Sequence, residues 1–206
     1  MEGYKTIKNE CSAEIEVKRS KFIATLCHVE TENEATEFIN RQRKKYWDAK
    51  HNVYAFIIRQ NGTKRFSDDG EPHSTAGLPV TEVIEGFGIT DVAAVVTRYF
   101  GGILLGTGGL VRAYSEAVSE ALKSAEVVTV LPAKRFKIIC DYTQFDVLSK
   151  VLNDNKAKII STDFSDKIEV SAAIPSTDFD NLKAKCVDVF CGKIAFSDIE
   201  EIFLGF

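Results

Sequence analysis

No stretch of the 206 residues approaches the roughly 20 consecutive apolar residues needed to cross a bilayer. The start, Met1-Glu2-Gly3-Tyr4-Lys5, also lacks the apolar core of an export signal. A cytoplasmic location with no membrane partner is therefore expected. Cysteine is scarce: Cys11, Cys27, Cys140, Cys186 and Cys191 are an odd number at irregular spacing, which argues against a disulfide framework and for reduced thiols. Cys186 and Cys191 have no second pair and no nearby histidine, so a four-ligand zinc site is not expected, nor is any other cofactor. Positive charge is not in excess either. The net charge is −4, with two surplus acids in residues 1–130 and two in the remainder. A nucleic-acid binder that works through its overall field is basic, so any such contact here must use a local patch. No serine stands in a G-x-S-x-G elbow and no cysteine carries a nucleophile signature, which leaves covalent catalysis without support. His28 and His51 stand apart from other ligand types and read as structural or surface residues.

What is present is ordinary for a globular protein, 45% hydrophobic and 27% charged, and the length suits one large domain or two small ones. The chain divides near Leu131-Pro132, giving domains 1–130 and 131–206 of an α+β class. In the first, strands are predicted at 15–17, 22–29, 53–59 and 92–97, with helices at 32–46, from Ser74 or Thr75 to a C-cap near Gly86, and at 107–124. In the second, a strand at 135–140, an amphipathic helix at 143–152 and strands at 158–164 and 167–174 are predicted. A helix capped by Ser176 or Thr177 and a strand at 193–203 follow. The order βαββαβ is that of a ferredoxin-like domain.

The most informative segment runs from Arg98 to Tyr114 and holds Gly101, Gly102, Gly106, Gly108 and Gly109 between Arg98 and Arg112. It follows a buried-strand pattern and leads into a helix. It is not a dinucleotide fingerprint, since Val111 stands where the third glycine belongs, nor a P-loop, since Thr107 stands where lysine belongs. What remains is a helix N-terminus that Thr107 can cap, with N–H groups left bare by Gly108 and Gly109. The positive helix end attracts anions, to which Arg98 and Arg112 can add charge-assisted bonds. The alternative is structural: the glycines allow a tight turn and close helix–sheet packing, and the arginines are surface or ion-pair residues.

A second cluster, Ser67-Asp68-Asp69-Gly70-Glu71-Pro72-His73-Ser74-Thr75, sets three carboxylates, a histidine and hydroxyls beside a helix start. Asp68, Asp69 and Glu71 can supply oxygen ligands to Mg²⁺, or one can act as a general base near His73. The alternative is a turn followed by a cap at Ser74 or Thr75, with the acids offsetting the helix dipole. The basic run Arg41 to Lys45 precedes Tyr46 and Trp47, which join cations to rings able to stack on bases, or which simply close a solvated helix over the core.

Three separated motifs then stand in order: Arg19-Ser20-Lys21-Phe22-Ile23-Ala24; Ser67 to Pro72 with Thr75-Ala76-Gly77; and Arg98 to Gly102 with Leu105 to Tyr114. Together they resemble the IMPACT family in its bacterial two-domain form, across essentially the whole chain. The resemblance implies a first domain similar to the second domain of ribosomal small-subunit protein five. It also implies a second domain similar to the C-terminal domains of elongation factor G. Eukaryotic IMPACT proteins restrain a starvation-responsive kinase of translation through a further N-terminal domain with no counterpart in these residues, so that mechanism is not carried over. The expected function is non-enzymatic regulation of translation, binding RNA, the ribosome or a translation factor through Arg98, Gly101, Gly102, Gly106, Thr107, Gly108, Gly109 and Arg112; DNA is not expected as a partner. The alternative is an enzyme or binding protein for a phosphorylated small molecule or nucleotide, using the same loop with Asp68, Asp69, Glu71 and His73.

Overall fold

The chain enters on a short strand, β1 (Tyr4–Ile7), and then makes a tight hairpin of β2 (Cys11–Val17) and β3 (Ser20–His28). In this structure, a computed structural model that describes residues 3–205, the two hairpin loop residues Lys18 and Arg19 both have positive φ, 47° and 65°. That is the loop geometry that matches strand twist, achieved here without the usual glycine. Helix α1 (Glu32–Lys45) starts on Thr31, whose hydroxyl accepts the Glu34 N–H at 3.2 Å, and carries acids in its first turn and Arg43, Lys44 and Lys45 in its last. The strands β4 (His51–Ile58) and β5 (Thr63–Ser67), helix α2 (Gly77–Gly86), strand β6 (Val92–Tyr99) and helix α3 (Thr107–Ser124) complete a compact unit spanning Tyr4–Thr129.

Its five-stranded sheet has the order β2-β3-β6-β4-β5, antiparallel throughout. The apolar run at β6 is buried on both faces, which is why it shows no alternation. Val92, Ala94 and Val96 join Phe22, Val80, Ile84, Tyr114 and Val118 in the core beneath α2 and α3. Ala93 and Val95 join Phe38, Ile39, Phe56 and Ile58 in a second core beneath α1. A central sheet with helices on both faces thus leaves β6 fixed between β3 and β4, and the glycine-rich loop leaves from its C-terminal end.

The second unit, from Val130 onward, contains most of β7 (Val127–Cys140), then α4 (Tyr142–Asp154), β8 (Lys158–Phe164), β9 (Ile168–Pro175), α5 (Phe179–Phe190) and β10 (Phe196–Gly205). These pair antiparallel in the order β10-β7-β9-β8, the arrangement of a split β–α–β unit, over a core of Phe136, Ile138, Leu148, Leu152, Val170 and Leu182. Both units are mixed helix and sheet, in keeping with an α+β chain.

Some elements depart from the sequence expectation. β5 was not anticipated, because Thr-Lys-Arg-Phe-Ser on a sheet edge shows no apolar alternation. Pro132, at the expected division of the chain, lies inside β7 opposite Phe203. α5 begins beyond Ser176 and Thr177, with Asp178 at its N-cap. The last strand runs two to three residues later than expected.

Candidate functional site

At the end of β6 the strand register sets Phe22 of β3 opposite Arg98 on one side and His51 of β4 opposite it on the other. The Arg98 guanidinium lies over the rings of Phe22 and Phe100, 5.4 and 5.8 Å from their centroids. Its Nη1 donates to Glu71 Oε1 at 2.6 Å, and the two side chains are only 7% and 4% exposed. From α3, the Tyr114 hydroxyl donates to the same oxygen at 2.8 Å, while its ring meets Phe22 edge-on at 5.1 Å. Burial first, and then the charge of Glu71, push the Tyr114 phenol far above its ordinary value, so it remains a hydrogen-bond donor. Arg98 Nε is buried with no acceptor, a rare state for a charged donor.

The three motifs meet here. Arg19 and Ser20 pack on Gly101, Phe22 carries Arg98, and Glu71 joins Arg98 to Tyr114. His51, which stands apart from other ligand types in the sequence, adds a further group here. Its Nδ1 lies 2.8 Å from the Asp69 carbonyl oxygen, which only accepts, so Nδ1 carries a proton; Nε2 stands 4.0 Å from Glu71 Oε1. Only the long-range pairing of β4 with β6 brings His51 to Arg98, and no local signal announces it.

The acidic run is a set of acceptors with separate tasks rather than one ligand cluster. Asp68 accepts the N–H groups of Ser74 (2.8 Å), Ala76 (3.1 Å) and Gly77 (2.8 Å), and so caps α2 from nine residues before its first turn. Ser74 and Thr75 therefore do not cap the helix, whose N-cap is Ala76; Thr75 Oγ1 donates to the Pro72 carbonyl instead. Asp69 accepts the Asn52 N–H at 2.7 Å and Arg43 at 3.0 Å. His73, exposed, pairs with the Ser74 hydroxyl at 2.8 Å. Among the described residues no group of three or more His, Cys, Asp or Glu side chains is placed to hold a metal ion, and Asp68, Asp69 and Glu71 each turn oxygens to separate protein donors. Asp68→Ala is expected to cost about 2 kcal/mol, the upper end for loss of a cap, read as a lower urea midpoint with an unchanged denaturant slope.

The glycine-rich loop divides into packing and exposure. Gly101 donates its N–H to Ser20 Oγ at 3.1 Å, and a Cβ there would stand 2.0 Å from the Arg19 carbonyl carbon and oxygen. Gly102 and Gly106 have φ of 83° and 68°. Gly106, not Thr107, is the N-cap of α3, and no side chain caps this end; the helical ladder opens with Leu110 N–H on the Gly106 carbonyl at 3.0 Å. Thr107 is the first helical residue, so its expected capping role is corrected. The N–H groups of Thr107, Gly108 and Gly109 precede the first helical bond. A Cβ at Gly108 would touch nothing within 4 Å.

Between the loop, the Gly70-Glu71-Pro72 turn and the ends of β4 and β6 lies a cavity of about 430 Å³. Lys50, His51 and Arg98 line it with Gly106 and Thr107 at the head of α3, while Phe100, Leu104, Leu105 and Leu110 supply an apolar wall. Arg112 is not part of it. It lies exposed on α3, away from the buried Leu110, Ala113 and Tyr114, so the expected convergence of Arg98 and Arg112 is replaced by Arg98 with Lys50 and His51.

Residues 18–122 match the Impact N-terminal domain, and residues 138–193 match a domain of unknown function, DUF1949. The chain is 36% identical over 202 residues to the IMPACT family member YvyE of Bacillus subtilis, covering 98% of this chain and 92% of that protein. It is 35% identical over 189 residues to the IMPACT family member YigZ of Escherichia coli, covering 90% and 93%. A crystal structure described as that of a hypothetical protein is also similar, with 33% identity, a TM-score of 0.62 and coverage of 97% of this chain and 98% of that one. No helix among the described residues is long and apolar enough to cross a membrane.

Proposed function

Because the chain belongs to the IMPACT family, we propose that it is a non-enzymatic, translation-associated protein that holds RNA by its phosphates at the cavity beside Arg98. One observation carries this reading. A buried arginine with an unpartnered Nε lines the same cavity as the uncapped head of an 18-residue helix. A phosphate oxygen would meet a charge-assisted donor and the positive end of the helix together. Lys50 adds an exposed cation at the cavity, and the local patch reconciles phosphate binding with a net charge of −4. We read residues 1–130 and 131–206 as the two functional domains. In this reading the first is similar to the second domain of ribosomal small-subunit protein five and the second to the C-terminal domains of elongation factor G, which would suit a translational setting.

The test is binding of a labelled RNA measured across salt. Affinity is expected to fall steeply as salt rises, with log K decreasing by about 0.7 per phosphate contacted for each unit of log salt. Lys50→Ala should weaken binding and reduce that slope by about one contact. Absence of association at low salt would overturn the reading. The cavity volume favours a second reading, since 430 Å³ lies within the range of small-molecule sites. It is separated by heating the protein with nucleotides or inorganic phosphate: a ligand at a hundred times its Kd adds about 2.7 kcal/mol, and a flat response to all of them removes it.

A further inference from the structure

Trp47 is the sole tryptophan of the chain and stands 82% exposed. Tryptophan is among the more buried residue types on average, so a nearly bare indole calls for a cause. The loop that carries it is tied down rather than loose. Tyr46 N–H donates to the Gln42 carbonyl at 2.9 Å and Ala49 N–H to the Tyr46 carbonyl at 3.1 Å. The Tyr99 hydroxyl donates to Asp48 at 2.8 Å, and burial, followed by that Asp48 bond, pushes the Tyr99 phenol up to about 12, so it stays a donor. Lys45 lies over the Tyr46 ring at 4.9 Å. The indole thus stands exposed on a segment whose main chain is fixed on both sides of it.

Its position relative to the cavity is set by chain connectivity. Lys50 and His51 line the cavity, and three residues from Trp47 to Lys50 span at most about 11 Å between Cα atoms. Lys44, Lys45 and Lys50, all exposed, flank the ring with cations. An exposed aromatic face close in sequence to a cation-lined cavity matches the chemistry by which proteins hold unpaired bases: the ring stacks on a base while cations follow the backbone. A duplex keeps its base faces stacked internally and offers no such face.

We infer that Trp47 is a stacking platform for an unpaired base, and that the RNA held at this site is single-stranded. The inference rests on the phosphate site proposed above and adds the kind of RNA. Because Trp47 is the only tryptophan, its fluorescence reports the contact directly in the intact protein. An oligoadenylate of about ten nucleotides, within the range of known single-strand sites, is expected to quench it, whereas inorganic phosphate alone is not. Trp47→Ala should weaken oligoadenylate binding by about tenfold or more, as stacking contributes about 1–3 kcal/mol per base and 1.4 kcal/mol is tenfold. Trp47→Phe should restore part of it. An RNA duplex of equal length should bind more weakly and leave the fluorescence unchanged.

If labelled single-stranded RNA binds in a Lys50-dependent way yet fluorescence is unmoved and Trp47→Ala binds equally well, the platform is overturned while the phosphate site stands. Equal competition by an acidic peptide such as polyglutamate would also overturn it, pointing to a protein partner. If no RNA binds at all, the phosphate site falls and the platform with it. Folding is not a confounder, since an indole this exposed contributes little to the core.

Discussion

Replacing Glu71 by alanine is expected to destabilise the first unit by about 3–5 kcal/mol, the usual penalty for breaking a buried ion pair by removing one partner. The carboxylate accepts from Arg98 and from Tyr114 through one oxygen, and both donors are buried. Alanine leaves the guanidinium with its Nε and Nη1 unsatisfied and the phenol hydroxyl without an acceptor. Urea denaturation should show a midpoint lowered accordingly. The pair itself is not expected to be a large net source of stability. Glu71→Leu combined with Arg98→Met and Tyr114→Phe, which removes charge and donors together, should recover most of the loss. That triple variant should fold and yet fail to bind RNA, separating the structural task of the cluster from its binding task. A Glu71→Ala protein as stable as the parent would contradict the buried-pair geometry.

Gly101→Ala is expected to cost about 3 kcal/mol or more, at the severe end for overpacking, although it adds a single methyl group. The atoms it would meet are backbone: the Arg19 carbonyl carbon and oxygen at 2.0 Å and the Ser20 nitrogen at 2.4 Å. Neither can rotate away, so the β2–β3 turn must separate from the loop after β6, and the Gly101–Ser20 hydrogen bond is lost with it. Gly108→Ala is the matched control. Its Cβ would meet nothing, and alanine is favoured over glycine in a helix by up to about 1 kcal/mol, so the same chemical change should leave stability equal or raised. Midpoints of both variants in urea check the contrast. Equal effects would mean that the loop does not approach the hairpin as described.

Much of this was legible in the chain. β6 and α3 stand out by an unbroken apolar run and by helical spacing, and the three motifs that meet around Arg98 were visible as motifs. That Arg112 stands apart from the cavity follows from a signal in the chain: with Leu110, Ala113, Tyr114, Ala117 and Val118 forming the buried stripe, position 112 falls on the opposite side of the helix. The rest depended on long-range register. His51 meets Arg98 only because β4 pairs with β6, and Lys50 reaches the cavity for the same reason. Asp68 caps a helix from outside the capping window that local rules examine. The role of Gly101 depends on the Arg19 backbone, some eighty residues away in sequence, and no spacing rule within the loop contains that contact.

The shared oxygen of Glu71 also limits how this protein can change over generations. With two buried donors on one acceptor, any single replacement at Glu71 or Arg98 passes through a protein carrying an uncompensated buried group, a cost that takes a large share of the margin by which domains are stable. Lineages that abandon the arrangement must alter two or three positions nearly at once or first accumulate stability elsewhere. The cluster is therefore a mutational trap, easier to inherit whole than to edit.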